Sequence, residues 1–210
     1  MNFWKQKFFL LLLLNLKLTT IVKKYLFVVF SVILSEFVYC QVDTVKAKIL
    51  DNSQDAEKFY NSGISNFSNK KYSEALSEFN RAIGIKPEFE KAYYNRGVTF
   101  NELKQYKSAI EDFNKTIELN ASAEYAYFSR AQTMYAMGEK QKAEIDYTKT
   151  IDLRPMYEQA YYFRGGIRFE NADYKGAIED FDKAIKLKPD YAYAYNDRGS
   201  SKMQLEDYDG

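Results

Sequence analysis

The 210-residue chain has no histidine, a single cysteine and only three prolines. Without an imidazole it has no histidine metal ligand, no Ser-His-Asp relay and no Cys-His pair. Cys40, standing alone, excludes an intramolecular disulfide. Charge of one sign is lacking too: 30 Lys and Arg against 29 Asp and Glu leave a net +1. A basic stripe able to neutralise phosphates is missing, so no nucleic-acid partner is expected. No glycine-rich phosphate loop, metal cluster or activated nucleophile stands in the sequence, which predicts no enzyme, no cofactor and no metal. Apolar runs are short. The stretches 8–14 and 25–34 are separated by Asn15, Lys17, Lys23 and Lys24, and neither reaches the roughly 17–25 residues that span a bilayer.

What the chain does have is aromatics, 19 tyrosines and 16 phenylalanines, set out with a strict period. The small residues Gly63, Gly97, Ala131, Gly165 and Gly199 follow one another at intervals of 34. Four positions before each stand Phe59, Tyr93, Tyr127, Tyr161 and Tyr195; twelve after the first four stand Ala75, Ala109, Ala143 and Ala177. Self-similarity at this length marks stacked copies of one supersecondary unit. Within the second copy, Tyr93, Arg96, Gly97, Phe100 and Leu103 recur at steps of three and four, one face of a helix. Ala109, Ile110, Phe113 and Ile117 give a second helix an apolar stripe, and Glu111, Asp112, Lys115 and Glu118 read as its wet face. Each helix is about 12–14 residues, or about 18–21 Å long. The carboxylates Glu111, Asp112, Glu179 and Asp180 are accordingly expected on solvated faces rather than as a catalytic pair. Pro87, Pro155 and Pro189 fit the turn after each second helix, since proline cannot donate a backbone hydrogen bond and restrains the residue before it.

The runs FYNSG…YSEALSEFNRAIGIKP, YYNRG…YKSAIEDFNKTIELN, YFSRA…QKAEIDYTKTIDLRP and YYFRGG…YKGAIEDFDKAIKLKP together resemble the tetratricopeptide repeat. The resemblance divides the chain into units at 56–89, 90–123, 124–157 and 158–191, with an incomplete fifth at 192–210. It departs from the family pattern at Ala121, where a proline is usual, at Lys140 for tyrosine, and at Thr116 and Thr150 for alanine. The third unit diverges most. The fold the resemblance implies is all-α, a right-handed solenoid of antiparallel helix pairs whose first helices line a concave groove. Such a groove receives an extended peptide or a partner helix.

In that register the groove positions are Tyr60, Tyr94, Phe128, Tyr162 and Asn196, then Asn61, Asn95, Ser129, Phe163 and Asp197, and one residue past each small marker Ile64, Val98, Gln132, Gly166 and Ser200. Tyr60, Asn61, Tyr94, Asn95, Phe128, Gln132, Tyr162 and Phe163 are the candidate peptide-binding set. Ile64 and Val98 stand where the family's carboxylate clamp has an asparagine-lined site, which disfavours a receptor for chaperone tails. Arg96, Arg130, Arg164 and Arg198 precede each marker and have two readings. They form a ladder for acidic ligands, or their stems cover aromatic surface while their heads reach solvent or an acidic partner between repeats. The structural role is the expectation.

Residues 1–40 hold five lysines and Glu36, net +4 against +1 for the whole chain, so residues 41–210 are slightly acidic at net −3. Lys23 and Lys24 followed by YLFVVFSVIL describe a secretory signal peptide with cleavage after Cys40. A retained membrane anchor is the alternative, and residues 41–55 read as a linker. The expected location is exported, periplasmic or extracellular, or membrane-anchored through residues 1–40. The last unit stops before its second helix, which predicts an open terminal face and a missing C-terminal continuation. The function expected is that of a non-catalytic scaffold or adaptor for a protein or peptide. The alternatives are a structural part of an envelope or secretion assembly, or the repeat region of a truncated enzyme.

Overall fold

The computed structural model describes residues 28, 41, 42 and 53–206, and all secondary structure among them is α-helical. The chain divides into two compact units, 1–52 and 53–210. Of the first, Val28, Gln41 and Val42 are described, and all three are helical and exposed. The signal-peptide reading of residues 1–40 therefore lies, apart from Val28, outside the described residues. No helix among the described residues is long and apolar enough to cross a membrane.

The second unit is built from α1 (53–68), α2 (Tyr72–Ile85), α3 (Glu90–Glu102), α4 (Tyr106–Leu119), α5 (Glu124–Ala136), α6 (Lys140–Leu153), α7 (Glu158–Glu170), α8 (Tyr174–Leu187) and α9 (Ala192–Gln204). Residues 53–55 are helical and not the end of a linker. Their polar side chains lie on the wet side of a helix whose first buried residue is Ala56. From α2 onward each helix packs on the next along the chain, and α3 also touches α5, as α7 touches α9. This is a solenoid of helix pairs.

The small markers allow the two helices of a pair to meet. A Cβ added at Gly63 would lie 2.6 Å from the Phe79 ring, one at Gly97 2.8 Å from Phe113, and one at Gly165 2.9 Å from Phe181. These three phenyl rings are wholly buried. The closest approach to Gly97 is thus made by Phe113 and Asp112, one turn beyond Ala109. In the third pair, Ala131 meets the bulkier Tyr147, which is also buried. That pair packs like the others despite its divergent sequence. Thr116 and Thr150, standing for alanine, are fully buried and turn their hydroxyls back to Asp112 and Asp146 carbonyls at 2.9 Å.

The turns recur with the same period. After each first helix the chain makes one left-handed residue: Lys70, Lys104, Gly138, Ala172 and Glu206, with φ between 57° and 81°. In the first four the following N–H reaches five residues back, as in Gln105 to Phe100 at 2.8 Å and Asp173 to Arg168 at 2.9 Å, which closes a Schellman motif. Only Gly138 takes this conformation without a steric cost. Replacing Ala172 with glycine is expected to stabilise the fold by about 1 kcal/mol, because a Cβ is disfavoured there by about 1–2 kcal/mol. An unchanged or lower urea midpoint would contradict this. The other turn holds Pro87, Pro155 and Pro189, as the sequence suggests, and Ala121 at the corresponding place. There the Asn120 side chain accepts the Ser122 N–H at 3.1 Å and supplies the restraint that a proline gives elsewhere.

Candidate functional site

Four arginines, each just before a marker, clamp the stack. Arg96 donates through Nε and Nη2 to both oxygens of Asp112 at 2.8 and 2.6 Å; Arg130 meets Asp146 and Arg164 meets Asp180 in the same forked geometry. Each of these three also sends Nη1 sixteen residues backward, to Asn80, Asn114 and Thr148. Arg198 makes the backward contact, to Asp182 at 2.6 Å. The guanidinium carbons stand over Tyr93, Tyr127, Tyr161 and Tyr195 at 5.3–5.8 Å from the ring centres. This is the structural role, with second helices of two successive repeats joined through one side chain. Asp112 and Asp180 are therefore not on a solvated face: they are 4% and 2% exposed, while Glu111 and Glu179 are exposed as expected. The reason is the forked guanidinium, which satisfies a carboxylate inside the stack.

The arginines being engaged, the groove positions remain on the face formed by the first helices. Here tyrosines of one repeat bond to the next. Tyr60 accepts from Asn95 at 3.1 Å, Tyr94 pairs with Ser129 at 3.1 Å, and Tyr162 donates to Asp197 at 2.9 Å. At the one junction with Phe128 in place of tyrosine, the partner is Phe163, its ring centre 5.8 Å away in an edge arrangement. Tyr60, Tyr94 and Asn95 are half-buried and serve these junctions, Phe128 is buried, and Asn61 and Gln132 are exposed. Of the sequence-derived set, Tyr162 and Phe163 come together around a concavity; Tyr60, Asn61, Tyr94 and Asn95 do not.

That concavity has a volume of about 390 Å3 and lies over α7, closed by α5 and α6 on one side and α8 and α9 on the other. Its walls are the rings of Tyr135, Tyr147, Tyr162, Phe163, Phe169 and Phe181, with Ile167 at its base and Glu170, Asp197 and Ser200 among its polar groups. It opens at Gly166, where an added Cβ would meet nothing within 4 Å. The same register elsewhere holds Ile64, Val98, Gln132 and Ser200. Tyr147 stacks on Phe163 at 13° and 5.8 Å between centres.

The polar groups are unevenly satisfied. Tyr135 donates to Glu170, whose other oxygen accepts Lys140 at 2.9 Å. Lys140 thereby repeats the relation of Tyr72 to Glu102, also thirty residues apart at 3.4 Å, with an ion pair in place of a phenol. The hydrogen bond to Glu170, then burial and the carboxylate charge, push the Tyr135 hydroxyl up to about 12. Burial pulls Glu170 upward, but the Tyr135 and Lys140 hydrogen bonds and the Lys140 charge hold it below the usual range. Burial, and then the bond to Asp197, raise the Tyr162 hydroxyl. Burial foremost, with Tyr135 and Tyr157 nearby, raises that of Tyr147. Tyr147 is 1% exposed, and its hydroxyl makes no hydrogen bond among the described residues.

Tyr135, Tyr147, Ile167, Phe169 and Glu170 escape sequence reasoning because they lie outside the three groove positions. The signal that marks the place is the paired Gly165 and Gly166, only the first of which the helix crossing requires. The site holds no group of His, Cys, Asp or Glu fit for a metal among the described residues. Tyr135 and Lys140 are bonded to Glu170, and Tyr162 to Asp197.

Comparison with known proteins follows this geometry. Residues 90–122 match the tetratricopeptide repeat and residues 165–205 the TPR repeat. No curated protein sequence matches. Among solved structures, a crystal structure of MamA protein is similar with a TM-score of 0.70 at 22% identity, over 74% of this chain and 85% of that one. Pseudomonas aeruginosa PilF is similar with a TM-score of 0.66 at 14% identity, over 75% and 72%. The first TPR of Spaghetti (RPAP3), solved with HSP90 peptide SRMEEVD, has a TM-score of 0.55 at 27% identity, over 57% of this chain and 98% of that one. The helix pairs, their 34-residue register and these matches give the chain the architecture of a tetratricopeptide-repeat protein.

Proposed function

We propose that the chain is a non-catalytic adaptor whose first-helix groove receives a segment of a partner protein, anchored by one side chain in the cavity over Gly166. The observation that carries this is the aromatic-walled volume of about 390 Å3 at Gly166, where the other repeats hold Ile64, Val98, Gln132 and Ser200. Concave, mostly apolar sites with a few placed polar groups are where proteins hold ligands. Aromatic walls give contact area at low entropic cost. Tyr162 and Phe163 remain in the proposed binding set, Gln132 is exposed on α5 one turn before the cavity-lining Tyr135, and Tyr60, Asn61, Tyr94, Asn95 and Phe128 extend or support the groove beyond it. The lysine-led apolar run at 23–34 supports export, or anchoring through residues 1–40, as the setting in which the partner is met.

The test is a photocrosslinking residue at Gln132, with and without Gly166→Val, in extract of the native compartment. The valine is accommodated in open space and fills the cavity mouth. Crosslinked partners should fall at least about tenfold in the valine chain, as befits loss of a central anchor. An unchanged adduct pattern would place the partner surface elsewhere.

A further inference from the structure

Resting on that reading, we infer that the side chain taken by the Gly166 cavity is a cation, a lysine or arginine of the partner. The walls are aromatic faces, and aromatic faces attract ammonium and guanidinium groups while covering their alkyl stems. Two carboxylates, Glu170 and Asp197, border the same volume. Glu170 is already matched by Lys140. Asp197 is bonded by Tyr162 at 2.9 Å and by the Asn196 amide at 3.1 Å, both neutral donors, and no ion pair reaches it among the described residues. Its neighbour Arg198 is engaged instead with Asp182. A carboxylate beside a desolvated aromatic wall, held by neutral groups, gains most from a positively charged visitor.

Tyr147, 1% exposed and with no hydrogen bond from its hydroxyl among the described residues, also lines the cavity. A purely hydrocarbon side chain would leave the charge of Asp197 uncompensated, and an acidic one would face Asp197 and Glu170 as like charge. The chemistry is thus opposite to that suited to the acidic peptide SRMEEVD bound in the Spaghetti structure.

The test uses the full chain and a display library of short random peptides. Selection on the wild type should enrich peptides with a lysine or arginine at one fixed place. Replacing that residue with norleucine in the synthesised winner should weaken binding at least about fivefold. Asp197→Asn, which keeps the bond to Tyr162, should weaken the lysine peptide by a similar factor and leave the norleucine peptide unchanged. Winners that carry an aliphatic residue there, lost with Gly166→Val, would overturn the cation assignment and keep the groove reading. Winners indifferent to Gly166→Val, or none at all, would overturn both.

Discussion

Leucine at Gly165 is expected to lower the stability of the fold by about 1–3 kcal/mol, while alanine at the adjacent Gly166 raises it by up to about 1 kcal/mol. Both glycines lie inside α7, so both gain helix propensity from a side chain. They differ in what that side chain meets. A Cβ at Gly165 would lie 2.9 Å from Phe181 Cε1 and 3.2 Å from Asp180 Cβ. The phenyl ring is wholly buried, and Asp180 Cβ is fixed to the backbone of α8, so neither yields freely. Ala131 shows that one methyl fits when the facing ring is tyrosine, but the three further carbons of leucine have no such space. At Gly166 the Cβ meets nothing within 4 Å. Urea unfolding at unchanged m-value decides the matter: equal midpoints for the two variants would show that the pair of glycines is not divided between packing and binding.

The second large effect is expected at Asp180. It receives two N–H groups, Arg164 Nε and Nη2 at 2.9 and 2.7 Å, and pairs with Arg168 Nη1 at 3.0 Å, at 2% exposure. Asp180→Ala leaves Arg164 without its carboxylate and leaves Arg168 with the Glu144 carboxylate. Breaking a buried ion pair from one side costs about 3–5 kcal/mol. The lower end, about 3 kcal/mol, is expected here because the Arg164 and Arg168 side chains keep 13% and 24% of their surface and regain some water. Asp182→Ala, two residues on, removes the pair with Arg198, in which the carboxylate is 53% exposed. It should cost under about 1 kcal/mol. A cost at Asp180 no greater than that at Asp182 would sink the view that the arginines hold the stack together.

The helix pairs were legible in the sequence because burial of a two-helix unit forces small residues and rings to recur at one interval. The proline turns were legible for the same reason, and even Ala121 sits in its turn because Asn120 restrains it. The buried aspartates were not. Read within one helix, Asp112 lies beside Glu111 and takes its character from that neighbour; its partner Arg96 is sixteen residues away on another helix. The clue lay across elements: Arg96, Arg130 and Arg164 recur in step with Asp112, Asp146 and Asp180, and with Asn80, Asn114 and Thr148 behind them. The cavity was half legible. Gly166 stood in a groove register with Tyr162 and Phe163, but a missing side chain becomes a volume only when Tyr135, Tyr147 and Phe169 arrive from three helices.

The junctions along the first-helix face are matched in kind: tyrosine with asparagine, tyrosine with serine, phenylalanine with phenylalanine, tyrosine with aspartate. A shuffled array, with the third and fourth units exchanged, would set the Tyr94 hydroxyl against Phe163 and the Phe128 ring against Asp197. Although the copies share one blueprint, each is keyed to its successor, and the chain has a serial order that duplication or deletion of a single unit would scramble.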